Sequence, residues 1–279
     1  MSSTKADDNG EGNGSKVITV SRETVKRIVQ DIKEVTNDSS LCQNGIYYEH
    51  NMDNFMHGDA MLIGPKDTPY EHGLFFFHFE FPSDYPFSPP TVKFHNHTKS
   101  KRVRMNPNLY ENGRVCLSLL NTWAGEPWSA CQSIRSVLLS LVTVLNEKPL
   151  LNEPGIKESH RDFSNYQRLV RFFSLKDYLV ESYVRWCSGT SHEQEKLFDG
   201  PMREHFGRMR DADLLERLLT EYLEAEHSTT SKSKIKDNNM DVLVVGMYGM
   251  RATIHWEYVL NTYVELCKTH EKPSLISKT

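Results

Sequence analysis

Several features that mark whole classes of protein are missing from this sequence. No run approaches the ~18 consecutive apolar residues that a membrane-spanning helix needs. The opening segment, MSSTKADDNGEGNGSK, lacks the apolar centre of a secretory signal peptide. We therefore expect no transmembrane helix, no membrane partner, and a location in the cytoplasm, the nucleus or both.

A concentrated excess of basic charge is also missing. The 279 residues carry a formal net charge of −4. Proteins that neutralise nucleic-acid phosphates usually show a basic patch or stripe. The composition therefore argues against DNA or RNA as a partner.

Paired cysteines are missing as well. The five cysteines are odd in number and widely scattered, and no two form a CxxC pair. This spacing predicts reduced thiols rather than a disulfide framework or a zinc site. The His95-Asn96-His97 string invites a metal or nuclease interpretation, but no further ligands follow at suitable spacing. We expect no metal site, and a solvated loop at these histidines.

Composition divides the chain into three parts. Residues 1–16 are rich in Gly, Ser, Asn and Asp and are predicted to be disordered. Residues 17–187 hold helical and strand patterns that predict a folded domain. Residues 188–279 are predicted to form a helical C-terminal extension. Its expected elements are a helix at 193–206 broken near Gly200-Pro201, a helix at 213–226, a polar loop at 227–239 and an apolar stretch at 242–267.

The middle part combines helical and strand patterns. An apolar stripe at helical spacing predicts a helix at 21–36 with Ser21 as its N-cap; the stripe consists of Val25, Ile28, Val29, Ile32 and Val35. Four short strands joined by tight turns predict an antiparallel meander. The segment LFFFHFEF is apolar at successive positions, so we expect cover on both of its faces, with the first helix on one. The strands are expected at 47–50, 55–63, 74–81 and 91–94, and further helices at 132–145, 163–174 and 175–186.

The chemistry lies in the window MNPNLYENGRVCLSLLNTWAGEPWSA, residues 105–130. Cys116 follows the turn signal Asn112-Gly113 and has apolar neighbours. This arrangement can bury the flanking residues and leave the sulfur facing outward as a nucleophile. The competing interpretation is a small core thiol, because free cysteine is among the most buried residue types.

The segments around Cys116 carry a resemblance to one family. The string PNLYENGRVCLSLL resembles the active-site signature of ubiquitin-conjugating enzymes, and GPKDTPYEHGLFFFHFEFPSDYPFSPPTVKF resembles their strand–turn–strand and Tyr-Pro-Phe-x-Pro-Pro block. The predicted helices at 21–36 and 132–145 match the first two helices of that family. The resemblance covers roughly residues 18–187 and implies that residues 17–187 form the catalytic domain. It implies an α+β ubiquitin-conjugating (UBC) fold, in which a four-stranded antiparallel meander is backed by helices.

The resemblance also implies the reaction. Cys116 would accept the C-terminal carboxyl of ubiquitin, or of a ubiquitin-like modifier, as a thioester and pass it to a substrate lysine or a ligase cysteine. A thioester is a good acyl donor, which agrees with the lack of a base motif beside Cys116. Asn108 would either donate a hydrogen bond to the oxyanion or hold the adjacent loop in shape. Glu153, or next to it Asn152, would orient the incoming lysine, although a surface acid near a helix end explains Glu153 as well.

An activating enzyme is the partner that the family implies for charging. The basic face of the first helix, with Lys26, Arg27 and Lys33, would dock that enzyme. Without the resemblance, such charges would be assigned to a solvated helix face. The resemblance implies no cofactor, because ATP is used by the activating enzyme and not by this chain.

The sequence departs from the family pattern in several places. Asn106 replaces the histidine of the His-Pro-Asn turn; that histidine is usually structural, so we expect catalysis to survive. Phe87 and the loop with Ser129 and Ala130 would form the surface for ubiquitin ligases. Ala130 replaces a proline there, which puts conventional ligase recognition in doubt. These departures and the long tail resemble the "Z" branch of the family. That branch implies an alternative activating enzyme and a modifier with two tandem ubiquitin folds, besides ubiquitin.

Three functions can be compared on these features. The first is a transferase that forms a thioester on Cys116. The second is a non-catalytic scaffold that binds the modifier or partner enzymes, but inactive variants of this kind lack the cysteine. The third is an unrelated small-molecule enzyme, which would need a cofactor loop or a base partner that the sequence does not display. The substrates, the chain linkage and the oligomeric state do not follow from the sequence.

Overall fold

The computed structural model of the protein describes residues 20–98, 103–211, 220, 236–237 and 240–269. The segment 1–16, most of the helix predicted at 213–226 and most of the loop predicted at 227–239 lie outside the described residues. None of the described helices is both long enough and apolar enough to span a bilayer.

The central sheet has four antiparallel strands in sequence order, which confirms the predicted meander. Its register pairs Ala60 with Phe77 and Phe79 with Val92. Apolar β-branched and aromatic residues favour such a half-buried pleated surface. The strands are β1 (Ile46–His50), β2 (His57–Ile63), β3 (Leu74–Glu80) and β4 (Thr91–Phe94).

The helices predicted at 21–36, 132–145, 163–174 and 175–186 are present, and the short helix α2 and a π-helical turn were not predicted. Ser21 caps the first helix by accepting the backbone N–H of Thr24, as expected. Two members of its predicted apolar stripe, Val25 and Val29, are more than a third exposed and do not belong to the core. The helices are α1 (Arg22–Asn37), α2 (Ser39–Gln43), α3 (Ile134–Val144), α4 (Phe163–Leu175), the π-helical turn Lys176–Val180 and α5 (Glu181–Ser188).

Both faces of β3 are covered, as its continuous apolar pattern predicts. Successive strand residues point to opposite faces. Phe75 stacks on Tyr178 of the π-helical turn, with ring centroids 4.8 Å apart, and Phe76 lies 6.1 Å from Phe198. The first helix contacts β1 and α3. The expected cover is therefore present, but much of it comes from later in the chain.

The C-terminal extension is not helical throughout, which corrects the prediction. Besides helices it has a three-stranded antiparallel sheet in the order β5-β6-β7. The strand sequence MDVLVV is rich in β-branched residues, but its continuous apolar pattern has no clear period. The elements are α6 (Glu193–Leu197), α7 (Asp199–Asp211), β5 (Lys236–Asp237), β6 (Met240–Val245), a 3₁₀ turn (Gly246–Tyr248), β7 (Met250–Ile254) and α8 (Trp256–Thr269).

The break between α6 and α7 also differs from the prediction. It falls at Phe198 rather than at Gly200-Pro201. Pro201 lies in the first turn of α7, where a missing backbone N–H costs no helical hydrogen bond.

The extension and the rest of the chain share one hydrophobic core cluster. Phe206 packs on Tyr183 at 4.9 Å between ring centroids, and Trp256 packs on Phe172 at 5.1 Å. Helix α5 runs through residue 187 and ends at the left-handed Gly189. The domain boundary placed between residues 187 and 188 stays a prediction.

Candidate active site

Buried amide groups hold the turn Asn106-Pro107-Asn108. Asn106 is fully buried, and its Nδ2 donates to the Tyr70 hydroxyl and to the Val144 carbonyl, each at 2.7 Å. Its Oδ1 accepts the backbone N–H of Asn108 at 2.8 Å. An amide side chain supplies both donors and an acceptor. Asn106 therefore has a structural role here, in the place where the resemblance implies a histidine.

Asn152 belongs to the same network. Its Nδ2 donates to the Val144 carbonyl at 3.0 Å and lies 3.4 Å from Asn106 Oδ1. Its Oδ1 accepts from Asn146 Nδ2 at 2.7 Å. Both polar ends of Asn152 are engaged within the protein, so its side chain supports the turn rather than facing an incoming substrate.

Cys116 and Asn108 are joined by two reciprocal hydrogen bonds. The backbone N–H of Cys116 donates to the Asn108 carbonyl at 2.8 Å. Asn108 Nδ2 donates in return to the Cys116 carbonyl at 2.7 Å. This geometry shows the loop-holding role of Asn108 in the free protein. The side-chain NH₂ carries two hydrogens, and one bond uses only one of them.

The sulfur of Cys116 does not face outward in the free protein, contrary to the expectation. The residue is only 1% exposed, whereas Cys42 and Cys131 are exposed. The hydroxyl of Thr122, which the sequence analysis did not identify, bonds to the backbone on both sides of Cys116. Thr122 Oγ1 accepts the Leu117 backbone N–H at 3.0 Å and lies 2.9 Å from the Val115 carbonyl oxygen. The nucleophile candidate therefore occupies a closed, well-held segment.

Glu153 is partly buried and contacts a residue of the C-terminal extension. The Tyr248 hydroxyl donates to Glu153 Oε2 at 2.8 Å. Burial, followed by this hydrogen bond, raises the pKa of Tyr248, so the phenol keeps its proton and stays a donor. No sequence signal connects these residues, since 95 positions separate them.

Arg104 links Tyr248 to the turn before Cys116. Its guanidinium lies 3.6 Å from the centre of the Tyr110 ring on one side and 4.7 Å from that of Tyr248 on the other. Its Nη2 donates to the Pro107 carbonyl at 2.6 Å. A planar guanidinium suits such stacking between aromatic rings. Arg104 is a second residue that the sequence analysis did not identify.

The three basic residues predicted on the first helix differ in their surroundings. Lys26 and Lys33 are exposed on α1. Arg27 differs from these two lysines, because its guanidinium is hydrogen-bonded within its own protein. Its Nε donates to Asp31 at 2.8 Å, its Nη1 donates to the Ala130 carbonyl at 2.6 Å, and its Nη2 donates to the Gln132 carbonyl. Arg27 thus ties α1 to the loop before α3.

The residues predicted for a ligase surface lie on two adjoining loops. Trp128 Nε1 donates to the Pro86 carbonyl at 2.7 Å and joins the loops. Phe87 is 78% exposed, which is unusual for a large aromatic side chain, and Ser129 is exposed beside the partly buried Ala130. The hydrogen bond from Arg27 holds Ala130 by its carbonyl, so this loop is fixed without the family's proline.

The histidine string does not form a solvated loop, which corrects that expectation. His97 stacks between Phe76 and Tyr178, with ring centroids 5.3 and 5.9 Å away. Burial lowers its pKa to about 3. Within the part of the chain that the structure describes, no group of three or more His, Cys, Asp or Glu side chains could hold a metal ion.

The fold and this arrangement define a class of protein, an α+β enzyme with a cysteine held beside an asparagine turn. The family model described as ubiquitin-conjugating enzyme matches residues 27–173. Ubiquitin-conjugating enzyme E2 Z of Xenopus tropicalis is 34% identical over 227 residues, covering 72% of this chain and 71% of that protein. The Danio rerio protein of the same name is 32% identical over 242 residues, covering 78% and 73%. The human one is 47% identical over 119 residues, covering 42% and 33%.

The chain belongs to the ubiquitin-conjugating enzyme family, within its Z branch. It is an enzyme that transfers ubiquitin through a cysteine thioester, and nothing favours the non-catalytic scaffold. Membership of the family implies work with ubiquitin, an activating enzyme and ligases in general. The first helix, the sheet and the Asn-Pro-Asn turn that the sequence analysis identified all lie within or beside the matched region.

Proposed function

We propose that Cys116 is the acceptor of the modifier, and that Asn108 and Glu153 act on either side of the transfer step. The observation that supports this most is the reciprocal pair of hydrogen bonds between Cys116 and Asn108, at 2.8 and 2.7 Å. These bonds fix one cysteine of the five next to a side-chain amide. The exposed Cys42 and Cys131 lie outside the Asn106–Asn108 turn network.

Charging is a thiol exchange. The Cys116 thiolate attacks the thioester carbonyl on the activating enzyme, a new carbon–sulfur bond forms, and the old one breaks to release the activating enzyme's thiolate. The thiolate is the attacking species in such exchange. Because Cys116 is only 1% exposed, this step needs a local opening around the sulfur. The hydrogen bonds of Thr122 to the residues beside Cys116 are the ones that such an opening would disturb.

Transfer to an amine builds negative charge on the carbonyl oxygen. Asn108 keeps one side-chain hydrogen on the Cys116 carbonyl and has a second one for this oxyanion. The two roles left open by the sequence, loop support and oxyanion stabilisation, are therefore compatible in one side chain. Such a pre-placed donor stabilises the transition state more than the ground state.

On the other side of the reaction, Glu153 receives the acceptor lysine. Its Oε2 is bonded to Tyr248, which leaves Oε1 for the lysine ammonium. The carboxylate orients the ammonium and helps it to lose a proton before attack. Asn152 supports this segment from within, through its bonds to Asn146 and Val144.

Partner enzymes would use two separate surfaces. Exposed Lys26 and Lys33 supply the basic face for the activating enzyme, and Arg27 shapes that face from inside. Phe87, Ser129 and Ala130 supply the surface for ligases. The modifier is ubiquitin or a ubiquitin-like protein with two tandem ubiquitin folds. The chain itself uses no cofactor or metal, does not act on nucleic acid or membranes, and works in the cytoplasm or nucleus.

The test is a charging reaction with an activating enzyme, ATP and modifier, resolved on a gel without reductant. We expect one band shifted by a single modifier and removed by thiol. Cys116→Ala should abolish it, Cys116→Ser should give a band that resists thiol, and Cys131→Ser, the matched control, should charge normally. If Cys116→Ala still formed the thiol-sensitive band, the assignment of Cys116 as the acceptor would be wrong. Parallel reactions with ubiquitin and with tandem ubiquitin-like modifiers identify the cargo.

A further inference from the structure

A hairpin of the C-terminal extension is clamped against the catalytic part of the chain. Asn165 Nδ2, on α4, donates to the Val244 carbonyl of β6 at 3.0 Å. The backbone N–H of Met247 donates to Asp162 Oδ2 at 2.8 Å. The backbone N–H of Arg104 lies 3.2 Å from the sulfur of Met250, on β7. The 3₁₀ turn between β6 and β7 is therefore fixed in place on both sides.

This clamp brings one side chain, Tyr248, to two parts of the active site. Its hydroxyl donates to Glu153 Oε2 at 2.8 Å. Its ring covers the Arg104 guanidinium, which in turn donates to the Pro107 carbonyl in the turn before Cys116. Tyr166 lies beside it with ring centroids 5.5 Å apart. A residue of the extension thus touches the acid and, through one arginine, the asparagine turn.

We propose that Tyr248 is a positioning residue for transfer of the modifier to lysine, holding the Glu153 carboxylate in the orientation that receives the incoming ammonium. This inference rests on the proposed function of Cys116 and Glu153. It gives the extension a part in the transfer reaction itself. A carboxylate at the surface samples several rotamers, and a fixed donor selects one of them.

The chemistry of the step says where the effect should appear. The lysine ammonium first gives a proton to Glu153 or to water. The neutral amine then attacks the thioester carbonyl, a carbon–nitrogen bond forms, and the carbon–sulfur bond to Cys116 breaks. The sulfur leaves as a thiolate, and the nitrogen loses its second proton to give the amide. Only the first proton transfer and the placement of the amine involve Glu153, so charging of Cys116 does not depend on Tyr248.

The variant Tyr248→Phe removes the hydroxyl and keeps the ring on Arg104. Tyr258→Phe is the matched control, since Tyr258 is an exposed tyrosine on α8 of the same extension. The experiment uses five full-length proteins: the wild type, Tyr248→Phe, Glu153→Gln, the double variant and the control. Each protein is charged with the modifier, and charging is then stopped by removing ATP. Single-turnover loss of the thioester is followed with free lysine at several concentrations between about pH 6.5 and 9.5. The same loss is followed with a small thiol.

For Tyr248→Phe we expect normal charging, normal reaction with the thiol, and lysine transfer slower by about tenfold near neutral pH. The deficit should shrink as the pH approaches the pKa of free lysine, because a deprotonated amine needs less help. The double variant should be no slower than Glu153→Gln alone, which shows that the two act together. A purely structural role would instead slow the thiol and lysine reactions alike.

Three results separate the possible failures. The positioning role would be overturned if Tyr248→Phe transferred the modifier to lysine at the wild-type rate. It would also be overturned if the variant reacted equally slowly with thiol and with lysine. If Glu153→Gln transferred the modifier to lysine at the wild-type rate, Glu153 would have no role in transfer and the inference would fail. The assignment of Cys116 would be unaffected. Absence of any thioester on the wild-type enzyme would instead contradict the proposed function. Unfolding midpoints of all variants, measured in parallel, identify a variant that is slow because it is unstable.

Discussion

The two sides of the active site are built from different parts of the chain. The nucleophile side consists of Cys116, Asn108, Asn106 and Thr122, which are near one another in sequence. The first three are joined by hydrogen bonds, and Thr122 bonds to the residues on either side of Cys116. The acceptor side centres on Glu153, whose carboxylate accepts a hydrogen bond from Tyr248, 95 residues further along the chain. The side-chain bonds that hold Cys116 therefore come from nearby residues, whereas the Glu153 carboxylate is bonded to the extension, which reaches the asparagine turn only through Arg104. Changes on each side should therefore have separable effects.

The largest effect is expected from loss of the amide beside the nucleophile. Asn108→Ala should slow lysine transfer by about a hundredfold to a thousandfold, because it removes both the oxyanion donor and the bond to the Cys116 carbonyl. Single-turnover thioester discharge measures this rate. If the rate of lysine transfer fell by less than about threefold, Asn108 would have no role in stabilising the transition state. Charging in the same variant shows whether the bond to the Cys116 carbonyl also matters for thiol exchange.

Asn106 tests whether the nucleophile side is a structural unit. Asn106→Leu keeps the branched shape of the side chain but leaves the backbone N–H of Asn108 without its partner and removes the bonds to Tyr70 and Val144. We expect the free energy of unfolding to fall by about 2–4 kcal/mol. Denaturant unfolding gives this value. The same change at Asn54, which is exposed in the β1–β2 turn, is the control and should cost less than about 0.5 kcal/mol. Equal costs at both positions would contradict the network.

Acid should weaken the packing of the extension. Burial lowers the pKa of His97 to about 3 and that of His205 to about 4, from 6.5. Both histidines lie where the extension meets the rest of the protein. His205 of α7 is bonded to the His72 carbonyl, and the His97 ring lies 5.0 Å from that of His192.

The sign of this effect follows from which state binds protons. Below about pH 6.5 the unfolded chain takes up protons that the folded protein excludes, so the stabilisation is complete above that pH and is lost as the pH falls toward 4. For each histidine, the free energy of unfolding should fall by about 1.4 kcal/mol for each pH unit of acidification in this window. The unfolding midpoint measured between pH 7 and 5 tests it. The variant His97→Phe should show a shallower slope than wild type, and an unchanged slope would remove His97 as a cause.

The smallest effect concerns the supply of the modifier to the nucleophile side. Reversing charge in the double variant Lys26→Glu, Lys33→Glu should slow charging by roughly tenfold at low salt, because rim charges act mainly on association rates. Lysine discharge of enzyme already charged should not change. Lys66→Glu, another exposed lysine, is the control. A docking role of these lysines would be contradicted if the double variant discharged to lysine more slowly than wild type, or if it charged normally at all salt concentrations.

The parts that could be predicted from the sequence are those set by local patterns. Helix spacing, strand alternation and turn signals act over a few residues, so the sheet and the Ser21 cap followed from them, whereas the Asn108 turn came from the family resemblance. The inward turn of Arg27 could not be predicted, since a basic residue on a helix looks the same whether it faces solvent or a carbonyl group. Tyr248 could not be found either, because only the folded chain brings it to Glu153. The closed state of Cys116 depends in part on Thr122, six residues away, through a hydroxyl that no motif marks.

The central claim, that Cys116 alone carries the modifier, can be tested by isotope labelling of the charged enzyme. The charged protein is denatured, and free thiols are alkylated with a light reagent. The thioester is then cleaved with hydroxylamine, and the newly released thiol is alkylated with a heavy reagent before peptide mass spectrometry. Denaturation makes every unmodified cysteine reactive, so burial cannot mimic protection. We expect heavy label on Cys116 and light label on the other four cysteines. Heavy label on Cys42, Cys131 or Cys187, with light label on Cys116, would contradict it.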